Sequence, residues 1–383
     1  MPLPLRWILT VVAAGLCAAI IIRKGNPLPG SAFLVQKTSP AMRSETARYQ
    51  EEMINLKQDL PFVHVASVIE LKDGALAALW YGGPFEYCHD NKIYFSEKRN
   101  GAWLNPCPIM TAERAEHELG RRIRCLGNPL MCRNPDGSLR LLFVTIAVGK
   151  WSGSQLNTTV SKDGGLSWSP SERLTLSPLC NFSELVRNRP LPLTNGSFCV
   201  PVYQELVGKF PELLWLKERE GQLSVCKTRI AGGCATLQPS VIPLDEKRAV
   251  VLLRDWTQAK RIFVSRSADA GLTWTKPVAT NLPNPDAGLS GLRLRDGRLL
   301  AAYNDSVSSR TDLSFALSED EGLTWRKIAM VEEDPKESFS YPYLMQTSDG
   351  MIHVAYTWNA DGIKMISFND AWIREQESKI RKP

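Results

Sequence analysis

The chain of 383 residues contains no Cys-x-x-Cys pair and only four histidines. Zinc-type ligand spacing is therefore missing, and neither a metal nor a cofactor is expected. There is also no block of Lys or Arg and no basic stripe interleaved with aromatic residues. The net charge of +6 is spread along the sequence. This argues against a nucleic-acid partner and is compatible with an anionic ligand. Charged residues make up 22% and apolar residues 44%, ordinary values for a folded chain, so disorder is not the default.

One long apolar run stands at the start. Trp7 to Ile22 is nearly unbroken, with Arg6 before it and Arg23-Lys24 after it. It lacks a small-x-small cleavage site and reads as an uncleaved membrane anchor rather than a signal that is removed. Residues 1–25 are thus expected to hold the rest of the chain on the extracytoplasmic side (periplasmic or extracellular), with secretion as the alternative. Export permits disulfides among the nine cysteines, but their spacing assigns none.

Past the anchor the chain repeats itself. Ser-x-Asp-x-Gly-x-Thr/Ser-Trp is written three times, from Ser161, Ser267 and Ser318, at intervals of 106 and 51 residues. Degenerate copies start at Ser96 and Ser367. In phase with these boxes run six pairs of apolar, β-rich segments. Five of the pairs are joined at an Asp-Gly or Asn-Gly turn, with glycines at 74, 137, 196, 297 and 350, and Lys247 holds the sixth place. Such dipeptides are strong hairpin signals. A unit of about 50 residues holding a hairpin, a third strand, a box turn and a fourth strand predicts an all-β fold. The expectation is a six-bladed β-propeller with four-stranded blades over residues 58–375, preceded by a linker at 26–57. Within that linker Ser31 to Val35 is a candidate ring-closing strand. The boxes are expected to be structural, because Asp bonds amides of its own turn, Gly supplies a positive φ and Trp packs between strands.

Alternating strand direction places the hairpin turns and the boxes on one face. The other face then receives the start of each first strand and the end of each second strand. The starts carry His64, Asn128, Arg187, Arg189, Gln238, the loop Asn284 to Gly288, and Tyr341. The ends carry Tyr81, Val144, Tyr203, Arg254, Asn304 and Thr357. Small or apolar residues would suffice to fill a channel, so this polar ring predicts a ligand pocket. Glu86 and Asp90, four apart in the loop after Tyr81, supply two carboxyls of the kind that glycosidic acid–base chemistry uses.

The box series, the six-fold period and the segment "YPYLMQTSDGMIHVAYTW" resemble the sialidase superfamily, in particular its BNR or Asp-box repeat members, over about residues 58–370. The resemblance implies a retaining exo-glycosidase that removes a terminal acidic, sialic-acid-like sugar. Tyr341 resembles the nucleophile and Asp90 the acid/base. Arg254 resembles an arginine that grips the substrate carboxylate, with Arg189 and Arg310 as further candidates. Glu86 or Glu205 is the group that takes the phenolic proton. His64, Gln238, Asn284 and Asn304 complete the expected substrate-binding set. Where the family opens with Arg-Ile-Pro, this chain has Val63-His64-Val65. That departure leaves a polysaccharide lyase using His64, or a non-catalytic glycan-binding module at the membrane, as alternatives.

Overall fold

All five glycines of the Asp-Gly and Asn-Gly turns sit at positive φ, from 79° at Gly196 to 97° at Gly297, as three-residue hairpin loops that end on a left-handed residue demand. The sixth hairpin has no glycine. There the Asp245 carboxylate closes the turn instead, accepting from the amides of Lys247 (2.9 Å) and Arg248 (2.7 Å). These six hairpins form the inner halves of six antiparallel sheets.

The computed structural model describes residues 31–36, 38, 45–55, 60–176, 181–219, 222–230, 233 and 235–381. Blade one comprises Phe62–Glu70, Leu76–Gly83 and Lys92–Arg99, with Ala102–Trp103 and Cys107–Met110 outside. Blade two runs Cys125–Arg133, Leu139–Ile146, Ser154–Ser161 and Glu172–Arg173. Blade three has a broken inner strand (Leu185–Val186 and Leu191–Pro192) followed by Phe198–Gln204, Phe210–Arg219 and Gln222–Arg229. Blade four is Thr236–Pro243, Ala249–Asp255, Arg261–Ser267 and Val278–Pro283. Blade five is Ser290–Arg293, Leu299–Tyr303, Asp312–Ser318 and Arg326–Glu333. Blade six takes Phe339–Gln346, Ile352–Trp358 and Gly362–Phe368 from the end of the chain and Tyr49–Asn55 from its beginning. The protein is a six-bladed β-propeller. Among the described residues two α-helices are added, α1 (Ala112–Leu119) and α2 (Asp370–Arg381).

The ring is closed by Tyr49–Asn55 and not by Ser31 to Val35. Tyr49 pairs with Phe368 and stacks on Trp372 at 5.0 Å, while Ile54 is buried. The earlier segment makes a single bridge from Phe33 to Leu193, and the Phe33 ring is fully buried among Leu213, Trp215 and Trp274 of blades three and four. The copy at Ser367 is also not a box: Asn369 accepts from the Trp372 amide (3.1 Å) and opens α2. The expected anchor at residues 1–25 lies outside the described residues. Among the described residues no helix is long and apolar enough to cross a membrane.

The three full boxes repeat one hydrogen-bond pattern. In each, the serine hydroxyl donates to the Asp carboxylate (Ser161–Asp163 2.8 Å, Ser267–Asp269 2.9 Å, Ser318–Asp320 2.8 Å). The same hydroxyl accepts from the glycine amide, and the Asp accepts from the amide of Ser167, Thr273 or Thr324 at 2.9 Å. Box and hairpin turns share a face, since Asp73, Gly137, Asp163 and Gly164 line one surface depression. Every Asp oxygen in the box is engaged locally, which leaves it no chemistry to perform. Asp269→Ala is expected to cost about 1–2 kcal/mol in urea unfolding and to leave ligand affinity in the opposite pocket unchanged. A mutant that kept its stability and lost ligand binding would overturn the assignment of faces.

Candidate functional site

Four of the inner strands carry the same irregularity. Their register slips between His64 and Ser67, Gly127 and Leu130, Leu237 and Ser240, and Ser340 and Tyr343. In each bulge the first extra residue is left-handed: Val65 (φ 52°), Asn128 (44°), Gln238 (50°) and Tyr341 (56°). Three are followed by a proline, which cannot donate to a ladder and is tolerated where pairing is already broken. A bulge turns its side chain out of the alternation of the strand, and left-handed non-glycine residues cluster where function holds them.

The bulges are held by their neighbours. Around the channel a hydrogen bond crosses each of the six blade junctions. These are Val65 N to Thr357 Oγ1 (3.0 Å), Ser67 Oγ to Pro129 O (3.1 Å), Asn128 Nδ2 to Val186 O (3.0 Å), Asn188 Nδ2 to Gln238 O (3.1 Å), Gly291 N to Ser240 Oγ (2.8 Å) and Leu344 N to Ser290 Oγ (3.1 Å).

Over this collar lies a cavity of about 130 Å³, lined by residues of blades one, two, three, four and six, with Tyr341, Arg254, Gln238, His64, Glu86 and Glu205 among them. Tyr341 is its centre. The Arg187 and Arg310 guanidiniums stand 5.3 Å and 5.5 Å from its ring centroid, and the His64 ring meets it edge-on at 4.8 Å. Gly288 closes in from the loop before blade five, where an added Cβ would come within 2.7 Å of the Tyr341 ring, so only glycine fits there. Burial alone would raise the phenol's pKa. The charge of Arg254, then that of Arg310, a hydrogen bond from Arg254 and the charge of Arg187 outweigh it, and the pKa falls below the ordinary phenol value.

The arginines are themselves fixed. Arg254 donates through Nε to Asp286 (2.8 Å) and through Nη1 to Gln238 Oε1 (3.1 Å), and Gln238 in turn donates to the Tyr203 hydroxyl (3.1 Å). Arg310 donates to the Asp286 carbonyl (2.7 Å). Arg187, fully buried, donates to the Pro342 carbonyl next to Tyr341 (2.6 Å), while its Nε is buried without a partner. Burial, chiefly, pushes the Arg187 pKa down to about 10. Burial, then the charges of Arg310 and Arg187, push His64 down to about 3, so its imidazole is neutral at ordinary pH. Glu86 accepts from the Trp151 indole (3.2 Å), and Lys209 donates to Glu205 (3.2 Å).

The expected residues divide in three. Tyr341, Glu86, His64, Gln238 and Arg254 line the cavity, and Arg310 joins them through the Tyr341 ring. Asn284 and Asn304 are buried outside its lining: Asn284 clasps Ala287 and so shapes the loop bearing Asp286, and Asn304 bonds the carbonyls of Asp312 and Phe339 across blades five and six. Asp90 and Arg189 stand elsewhere. The Asp90 carboxylate is 70% exposed beside His89, outside the cavity lining. Arg189 faces the opposite mouth of the channel. Arg187 occupies the place given to its neighbour, and Asp286, Tyr203, Trp151 and Lys209 complete the surroundings.

The BNR repeat-like domain family matches residues 74–354. No curated protein sequence matches the chain. Solved structures with the same fold include a Hadza microbial sialidase, 15% identical with a TM-score of 0.68, covering 83% of this chain and 68% of that one. A protein of unknown function from Dyadobacter fermentans is 15% identical with a TM-score of 0.63, over 89% of this chain and 100% of that one. The leech intramolecular trans-sialidase, solved with 2,7-anhydro-Neu5Ac, is 10% identical with a TM-score of 0.66, over 90% of this chain and 72% of its own. At these identities the likeness is one of fold.

Proposed function

Because the chain belongs to the BNR repeat-like family, within the sialidase superfamily of propellers, we propose that it is a retaining exo-glycosidase for a terminal sugar bearing a carboxylate at or beside its anomeric carbon. The observation that carries this reading is Tyr341 held among Arg187, Arg254 and Arg310, with its phenol made more acidic. Three guanidiniums converging on one point suit a planar anion. A carboxylate nucleophile would be repelled by the substrate's own charge, and a phenol is not.

In this reading the phenolate oxygen of Tyr341 attacks the anomeric carbon, the glycosidic C–O bond breaks, and a carboxyl delivers a proton to the departing oxygen. Glu86 takes that role because it lines the cavity, whereas Asp90 does not. Glu205, on the same lining, receives the phenolic proton. Glu86, now ionised, takes a proton from a water whose oxygen bonds the anomeric carbon as the Tyr341–carbon bond breaks, and Glu205 returns its proton to the phenolate, so that the sugar is released with its anomeric configuration retained. A lyase with His64 as base is the weaker reading, since an imidazole with a pKa near 3 beside two arginines is a poor proton acceptor.

The test is incubation with sialyllactose and with glucuronate-terminated oligosaccharides, followed by mass analysis and NMR of the fresh product. The expected result is a free acidic sugar, one water heavier than the transferred residue and of retained anomeric form. An unsaturated, ultraviolet-absorbing product would identify a lyase. Tight binding with no product from any substrate would identify a binding module.

A further inference from the structure

The other mouth of the channel holds a larger cavity, of about 590 Å³, between blades one, two, three and six and the segment Leu34 to Gln36. That volume is within the range of small-molecule sites. Its wall is divided in character. Val68, Met131, Phe198, Tyr343 and Met345 make an apolar side, and Arg189 and Arg133 stand on the rest.

Arg189 is the informative residue. Its guanidinium carries five N–H donors, yet it has no hydrogen bond or ion pair among the described residues, and burial disfavours its charge. Its side chain is half-buried and lines the cavity, so the charge opens onto that space. The one carboxylate on the wall, Glu70, is already engaged by the amide (2.9 Å) and hydroxyl of Ser348. A smaller cavity of about 170 Å³ adjoins, shares Arg189, and adds Arg293 and Arg295. Of these, Arg295 is held on the carbonyls of Thr347 (3.0 Å) and Ser348. The basin therefore has an excess of positive charge over one apolar wall.

We infer that this basin is a second binding site, for a small amphipathic anion whose carboxylate or sulfate head pairs with Arg189 while its hydrocarbon body lies on Met131, Phe198 and Met345. The site is back to back with the proposed glycosidase pocket: Arg189 and Tyr343 lie two residues beyond Arg187 and Tyr341 in the same chain segments. It does not depend on the glycosidase reading, because none of the Tyr341 cavity residues lines it.

Calorimetric titration of the full chain tests this with decanoate and decyl sulfate below their micelle concentrations, alongside decanol and inorganic sulfate. Saturable binding of one decanoate or decyl sulfate per chain is expected, with decanol and inorganic sulfate much weaker. Arg189→Met preserves side-chain bulk and should weaken the amphiphile by about 10- to 100-fold, the loss expected for one charge-assisted hydrogen-bonded pair. Arg189→Lys should restore part of that loss, and Tyr341→Phe should bind like the unaltered chain. Unchanged affinity in Arg189→Met, equal affinity for inorganic sulfate, or no saturable binding of either amphiphile would each overturn the inference. Competition from sialyllactose would do so as well, by assigning the anion to the other pocket.

Discussion

Tyr341→Phe is expected to lower kcat on an acidic glycoside by about 1,000-fold or more while leaving the dissociation constant within a few-fold of its starting value. The substitution removes one oxygen and nothing else. Phe has the same ring, so the edge-on contact with His64 and the positions of Arg187 and Arg310 over it can persist. The left-handed backbone at this position is no harder for Phe than for Tyr. Arg254 loses one acceptor but keeps Asp286 and Gln238, so the guanidinium that meets the substrate stays in place. Binding is thus separated from chemistry, and the covalent step alone is lost. Stopped-flow mixing with a fluorogenic glycoside reads both. Full turnover in the Phe variant would remove Tyr341 from the mechanism and point to a different nucleophile on the cavity wall.

Arg254→Lys is expected to reduce kcat/KM by about 100-fold, with much of the loss in KM. The charge survives and the geometry does not. Arg254 directs Nε to Asp286 and Nη1 to Gln238 at the same time, which a single ammonium on a flexible stem cannot reproduce. The Tyr341 phenol loses its hydrogen bond from the guanidinium as well, and with it part of what lowers its pKa, so the pH at which activity rises should move up. A steady-state pH profile of the Lys variant reads both effects. A variant with ordinary KM and an unmoved profile would show that the substrate anion is held by Arg187 and Arg310 without it.

Much of this was legible in the sequence because its signals are local. An Asp-Gly turn or a box is specified within eight residues, and the repeat of such units fixes blade count and the sharing of faces. Strand polarity separates the polar ends from the turn ends, and that alone groups Tyr341, Arg254, Gln238 and His64. Errors begin where one residue changes direction. Counting back from a turn reached His64, but the bulge makes Val65 the positional partner of Asn128, Gln238 and Tyr341. The same two-residue ambiguity exchanged Arg187 for Arg189, which sit on opposite mouths of the channel. Glu86 and Asp90 are four apart on one loop, and only the path of that loop decides which one reaches the cavity. The ring-closing strand is likewise hidden from local pattern. Ser31 to Val35 has the stronger β composition, while the pairing of Tyr49–Asn55 with Gly362–Phe368 depends on a partner about 300 residues away that no short-range pattern encodes.

That last pairing has a consequence for how the molecule is made. Tyr49–Asn55 is among the first described strands to leave the ribosome, and its partner Gly362–Phe368 is among the last. At about 5–20 residues per second, roughly 15 to 60 s separate the synthesis of the two. Throughout that interval the five earlier blades can stack on one another, yet the first strand has no sheet to join and the growing arc keeps two open ends. Both ends are β-rich and are available to other nascent arcs, so the chance of chains linking through one another's first strand should rise with crowding on the messenger. Ring closure has to await the strands of blade six, and a chain stopped before them would remain an open arc, however well its first five blades had formed.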